Sequence, residues 1–281
     1  GGDEALGFQY TMAIFAVLSI LLFWITFATT KERVTPVATK SDLKLDFKAL
    51  LGNGPWRALF VTGIVTLMNI AVRNGTLLYY FKYYVGDDGT RIFLIFDKTA
   101  IFMSTGLLTM LIGVALTKTL SSRFEKRQLL IVLSLLNALS MAVFFITPPD
   151  QYWLMVIINC LGTLAIGPTA PLVWSMYADT ADYGEWKSGR RTTALVFSTV
   201  QFSHKLGLAV GAGLAGIILG WFGFVANEIQ SESSMLGIRF MFSVFPAMLA
   251  IIGVIAIFFY RIDSRLIARM EHDLSERHAS S

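Results

Sequence analysis

Residues 236–261 read LGIRFMFSVFPAMLAIIGVIAIFFYR, with charge only at Arg239 and at the closing Arg261. At about 1.5 Å per helical residue such a run crosses the roughly 30 Å of bilayer hydrocarbon. Six more apolar runs precede it, at roughly 8–30, 57–85, 92–118, 128–147, 152–178 and 194–224. The composition agrees. Of 281 residues, 55% are hydrophobic and 15% charged, and the mean hydropathy is +0.63; globular domains in water carry nearer a quarter charged. The sequence therefore predicts an all-α membrane protein of seven spans.

The basic residues between the runs orient it. Lys31, Arg33, Lys40, Lys44, Lys48 and Arg57 follow the first run, Lys118, Arg123, Lys126 and Arg127 the third, Lys187, Arg190 and Arg191 the fifth, and Arg261, Arg265, Arg269 and Arg277 the last. These make seventeen of the 23 Lys and Arg. By the positive-inside rule that side is cytoplasmic, which puts the first residues outside and the last inside. The net charge of +4 is then an orientation signal rather than a nucleic-acid surface.

Residues 31–56 form the longest loop. Within it Leu43, Leu45, Phe47, Leu50 and Leu51 alternate with Asp42, Lys44, Asp46 and Lys48, which reads as a short amphipathic helix on the membrane surface. The domain reading follows: a helix over 1–30, a linker over 31–56, a six-helix bundle over 57–261 and a cytoplasmic tail over 262–281. The chain opens Gly1-Gly2-Asp3-Glu4, without Met. One helix, a long linker and six helices are what a twelve-helix transporter of two bundles looks like without its first five, so the chain is expected to be the C-terminal part of such a protein. Cys160 is the single cysteine, and His204, His272 and His278 are scattered, so neither a disulfide nor a Cys/His metal cluster is expected.

Charge inside a span is costly and marks function. Lys205 lies about eleven residues into its run, near mid-bilayer, and no Asp or Glu lies in the middle of any span. Its partner is then a ligand, another subunit or helices outside this chain; the alternative is a lysine that snorkels to an interface. Arg73 sits well inside the second run, with the same two readings. Tyr79, Tyr80, Phe81, Tyr83 and Tyr84 read as an interfacial aromatic belt, although Tyr79 and Tyr80 also suit a sugar-stacking wall. Gly167-Pro168-Thr169-Ala170-Pro171, with Trp174 a turn later, predicts a broken helix. Gly207-x-x-x-Gly211 and Gly216-x-x-x-Gly220 predict close backbone packing.

The segment Ala178-Asp179-Thr180-Ala181-Asp182-Tyr183-Gly184-Glu185-Trp186-Lys187, then Gly189-Arg190-Arg191, with Phe197-Ser198 and Lys205-Leu206-Gly207 after it, resembles the glycoside–pentoside–hexuronide:cation symporters. These are the melibiose-permease-like branch of the major facilitator superfamily. Lys31-Glu32-Arg33, Tyr79-Tyr80-Phe81-Lys82-Tyr83 with Gly86-Asp87, and the degenerate inner-loop motif Arg123-Phe124-Glu125-Lys126-Arg127 fit the same resemblance, in order, over nearly the whole chain. It implies the sixth helix of twelve plus a six-helix C-terminal bundle in a bacterial inner membrane. It also implies co-transport of a sugar or glycoside with Na+ or H+ by alternating access, with sugar bound between the bundles and the coupling cation on N-terminal helices absent here. On this resemblance Lys205 and Gln201 match substrate or coupling positions, joined by Trp174, Arg73 and Tyr79 as cavity candidates. Asp179, Asp182 and Arg191 match a cytoplasmic salt-bridge gate, with Arg123 as a further gate candidate. Arg73 departs from the family's neutral pattern and suggests an anionic sugar, a hexuronide or sulfonated one. The expected partners are the sugar, a monovalent cation, lipid and the missing helices, with no resident cofactor and no metal in this part. A membrane enzyme needs a nucleophile–base pair or metal cluster near the spans, and the one mid-span histidine, His204, has no acidic neighbour in sequence; no enzyme is expected. The competing reading is a truncated, non-transporting membrane protein that acts as a partner or regulator.

Overall fold

The computed structural model describes residues 4–31, 43–93, 96–190 and 192–279. Among the described residues, seven helical segments are long and apolar enough to cross a membrane, at 9–29, 54–85, 98–121, 126–143, 152–188, 193–221 and 232–257. The architecture is all-α, as expected. The chain divides into two units, 1–41 and 42–281. The first contains α1 (Glu4–Thr29); Lys31-Glu32-Arg33 runs out of the described residues after Lys31.

The second unit opens with α2 (Leu43–Leu51), a helix within the loop read as 31–56, of which Leu50 is buried and Leu45 and Phe47 exposed. Asp42 lies outside the described residues. The first spanning helix of this unit, α3 (Gly54–Tyr79), starts three residues before the apolar run because Asn53 caps it. The Asn53 Oδ1 accepts from the Trp56 amide at 3.0 Å, while its Nδ2 donates to the Thr180 carbonyl at 2.7 Å. One side chain thus begins α3 and ties it to the helix that carries Thr180. After α3 come α4 (Lys98–Ser121), α5 (Lys126–Val143), α6 (Tyr152–Ile166), α7 (Thr169–Ser188), α8 (Thr193–Trp221), α9 (Glu232–Phe242), α10 (Val244–Ile257) and α11 (Ser264–Ala279).

Three spans are interrupted. The fifth breaks between α6 and α7 at Gly167–Pro168, where the prolines predicted it. There Gly113 of α4 and Gly167 approach so closely that a Cβ on either would strike backbone of the other helix. The last span breaks at Ser243, between α9 and α10, which the sequence reading passed over. Pro246 supplies the reason. It has no N–H to give the carbonyl of Phe242, four residues back. Three side chains on one face of α3 serve the loosened backbone instead. Asn69 Nδ2 donates to the Pro246 carbonyl at 2.6 Å, Arg73 Nη1 to the Phe242 carbonyl at 3.1 Å, and Thr76 Oγ1 to the Met241 carbonyl at 3.4 Å. The third irregularity is a π-helical turn, Tyr80–Val85, that continues α3 and ends at Gly86 with φ +68°.

Helix α3 is central, packed on α8 along one side and on α10 along another, while α6 packs on α4 and α5. The α3–α8 contact is close because Gly207 and Gly211 lie against the backbone of Ile64 and Met68. The expected second pair behaves differently: a Cβ at Gly216 or Gly220 would meet nothing within 4 Å. At one end of the bundle Tyr80, Phe81, Phe102, Phe144 and Phe242 form a buried aromatic cluster. The tyrosines expected as an interfacial belt are therefore partly core. Tyr80 is fully buried, and Tyr84 donates its hydroxyl to the Thr147 carbonyl at 2.8 Å. The other end, which carries the basic loops, is braced by α2 and α11. Asp46 pairs with Arg190 at 2.6 Å, and Trp186 Nε1 donates to Asp273 at 2.8 Å. Met270 and Leu274 of α11 are buried, at the spacing of one amphipathic face. Leu107, Leu108, Leu111 and Ile112 of α4 are exposed, an apolar surface suited to lipid.

Candidate functional site

Helix α8 carries the deepest charge. Lys205 is twelve residues from its start, roughly 18 Å along a 29-residue helix. The buried side of α8 is Val196, Val200, Ser203, Gly207, Gly211 and Ala215, turned to the bundle. The exposed side divides by chemistry. Ser198, Gln201, Lys205, Ala212 and Gly216 recur at helical spacing along one exposed strip, which Leu208 interrupts, and Phe202, Leu206, Val210 and Ile217 along the adjoining one. Lipid satisfies the second strip but not the first, because a charge and an amide facing hydrocarbon lack hydrogen-bond partners. Lys205 forms no ion pair among the described residues.

Trp174 of α7 borders the polar strip. It is 42% exposed, stacks at 6.2 Å on Phe197, and meets His204 edge-on at 6.1 Å. Gln201, Lys205 and Trp174 thus occupy one region, with His204 as a neighbour that the sequence reading had weighed only as an unpaired histidine. An indole face beside an amide and an ammonium can stack on a sugar ring while hydrogen-bonding its hydroxyls.

The other two cavity candidates lie elsewhere. Arg73 turns into the bundle, toward the end of α9 and the residue after α5. Its guanidinium lies over the rings of Phe242 and Phe144, 4.3 and 5.0 Å from their centroids, besides bonding the Phe242 carbonyl. Tyr79 packs on Phe224 at 4.7 Å. Neither is brought to the Lys205 region.

Of the residues expected at a gate, Asp179 is held within the bundle. Lys126 Nζ lies 2.8 Å from its Oδ2 and also donates to Ser175 Oγ at 2.7 Å, and Tyr260 donates to Asp179 Oδ2 at 3.2 Å. Lys126 and Tyr260 are the residues that sequence reasoning missed. Lys126 was visible as part of the basic inner-loop motif, but nothing in its spacing named Asp179 as its partner. Asp182 is exposed on α7 and Arg123 exposed beyond α4. Arg191 lies outside the described residues.

No group of His, Cys, Asp and Glu able to hold a metal occurs among the described residues. A family model described as MFS/sugar transport protein matches residues 1–264. The chain is similar to Inner membrane symporter YicJ of Escherichia coli (strain K12), 32% identical over 258 residues that cover 91% of this chain and 54% of the relative. It is also similar to the Isoprimeverose transporter of Lactiplantibacillus pentosus, 30% identical over 285 residues, or 99% of this chain and 56% of the relative. The chain spans about half the length of the curated relatives it matches. With the family model covering almost the whole sequence and seven membrane-length helices beneath it, the chain belongs to the MFS/sugar transport protein family, in its melibiose-permease-like branch of transporters.

Proposed function

We propose that this chain supplies the sixth membrane helix, a cytoplasmic linker and the C-terminal bundle of a symporter that moves a sugar or glycoside with Na+ or H+. The observation that carries the reading is the polar strip of α8, with Lys205 and Gln201 exposed beside Trp174. Sugar binds on that strip, between this bundle and the helices of the N-terminal half. Carboxylates of those helices neutralise Lys205 and hold the coupling cation. Joint binding of sugar and cation shifts the balance between inward- and outward-facing states, so transport needs no covalent chemistry. The end bearing Lys187 and Arg190 faces the cytoplasm, in a bacterial inner membrane, and Asp182, Arg191 and Arg123 contribute there to a gate against the N-terminal half. Asp179 serves that gate indirectly, by fixing α5 to α7.

The test is uptake of labelled glycosides and hexuronides by the full-length protein in vesicles, with and without Na+ and a proton gradient. A saturable uptake that a cation gradient drives, and that Lys205→Val uncouples at normal membrane insertion, is the expected result. Uptake by Lys205→Val that matches the parent in rate and accumulation would overturn the assignment of the strip.

A further inference from the structure

Helix α3 packs on α8 and α10, and α6 on α4 and α5; the space left between these groups is a cavity of about 230 Å³ in the bundle interior. Its wall is largely apolar, with Leu130, Ile131, Val254 and Ile257, and is interrupted by the polar side chains of Asn69, Asn74, Ser134, Asn137, Asn159 and Arg73. It lies on the α10 side of α3, whereas α8 packs through Gly207 and Gly211 on the side of Ile64 and Met68, and neither Gln201 nor Lys205 lines it. We propose that it is a second ligand site, which takes an uncharged, polyhydroxylated molecule the size of one sugar ring.

The charge class follows from the wall. Asn69, Asn137 and Asn159 each spend Nδ2 on a carbonyl, those of Pro246, Gly162 and Phe102, at 2.6, 3.0 and 3.1 Å. Because those partners only accept, the amide orientation is fixed and the Oδ1 atoms remain as acceptors. None of the three oxygens bonds to a described residue, and none is sealed away without a partner. An anion would meet these acceptors at close range. A cation would meet Arg73, for no Asp or Glu lines the cavity. A neutral molecule rich in hydroxyls suits both, giving hydrogens to the amide oxygens and taking them from the guanidinium. The volume is many times the ~10–15 Å³ that a cavity needs to hold one water, which leaves room for a molecule the size of one sugar ring. Arg73 serves this site as a donor, through the guanidinium hydrogens that the Phe242 carbonyl does not take.

The experiment is equilibrium dialysis of the purified full-length protein with radiolabelled D-xylose and D-glucose. Ser134→Leu fills the cavity without removing a hydrogen bond seen in the structure, and Thr66→Ile does so from another wall. Melting and size-exclusion profiles identify which of the two folds as the parent does. Saturable binding of at least one sugar that persists in Lys205→Val and falls at least tenfold in affinity in the folded filled variant is expected. Equal binding by the filled variant, or none by Lys205→Val, overturns the second site. If the parent transports no sugar yet Lys205→Val binds one that the filled variant does not, the carrier reading fails and the second site stands.

Discussion

Lys126, the first residue of α5, holds the Asp179 carboxylate of α7 at 2.8 Å, and Tyr260 donates its hydroxyl to the same carboxylate from beyond α10. A lysine at a helix start faces the positive end of the helix dipole, so a carboxylate there relieves an unfavourable charge. Burial first, and then the Asp179 charge, push the Tyr260 hydroxyl well above its ordinary range, so it remains a donor at any physiological pH. Lys126→Met leaves a largely buried carboxylate short of its cation and should lower stability by about 1–3 kcal/mol, read as a fall in melting temperature in detergent. Adding Asp179→Leu removes the orphaned charge and should recover most of the loss. A single variant that melts with the parent would dismiss this pair as a structural tie.

Arg73 is predicted to act on stability through Pro246. Arg73→Leu takes the donor from the Phe242 carbonyl and should cost about 1–3 kcal/mol. Pro246→Ala returns a backbone N–H four residues on, so the double variant should lose less than the sum of the two singles. Melting of the four proteins completes the cycle. Strict additivity would separate Arg73 from the helix break.

The glycines of α8 should divide into two classes. Gly211→Val drives side-chain atoms into the Met68 backbone and Ala71, and should destabilise by about 1–3 kcal/mol or block folding. Gly216→Ala meets open space and should leave the melting temperature of this chain unchanged or slightly raised, since alanine favours a helix interior by about 1 kcal/mol. Equal damage from both would dissolve the distinction.

The spans were legible because hydrocarbon demands a long apolar run whatever the run packs against. Their ends were less so. The run read from residue 92 begins as a helix only at Lys98, because Asp97 caps it through the Ala100 amide at 2.7 Å, a polar signal that hydropathy ignores. Pro168 announced its break, yet Pro246, equally visible, was absorbed into an apolar run. At the site, depth and periodicity singled out Lys205 and Gln201, which share a helix. Arg73 was read by the same depth, but its direction depends on which side of α3 meets Phe242 and Phe144, and a packing partner distant in sequence is not encoded by spacing. The Lys126–Asp179 pair was hidden for the same reason.

The division of α8 into a wet strip and a lipid strip gives the sharpest test of the central reading. In a full-length protein whose native Cys160 is replaced by serine, single cysteines are placed at Ser198 and Ala212 on the polar strip and at Leu206 and Ile217 on the apolar one. If the polar strip lines a water-filled cavity between the bundles, a membrane-impermeant, charged thiol reagent should modify the first pair and spare the second, because the thiolate that reacts forms only in water. Sugar present at saturation should slow modification at Ser198, one turn from Gln201, more than at Ala212. Lys205→Val in the same background should abolish accumulation against a gradient while leaving this pattern in place, since the strip is set by packing of the opposite face of α8 through Gly207 and Gly211. Modification of Leu206 and Ile217 in preference to Ser198 and Ala212 would turn Lys205 toward lipid and remove the strip as a transport surface.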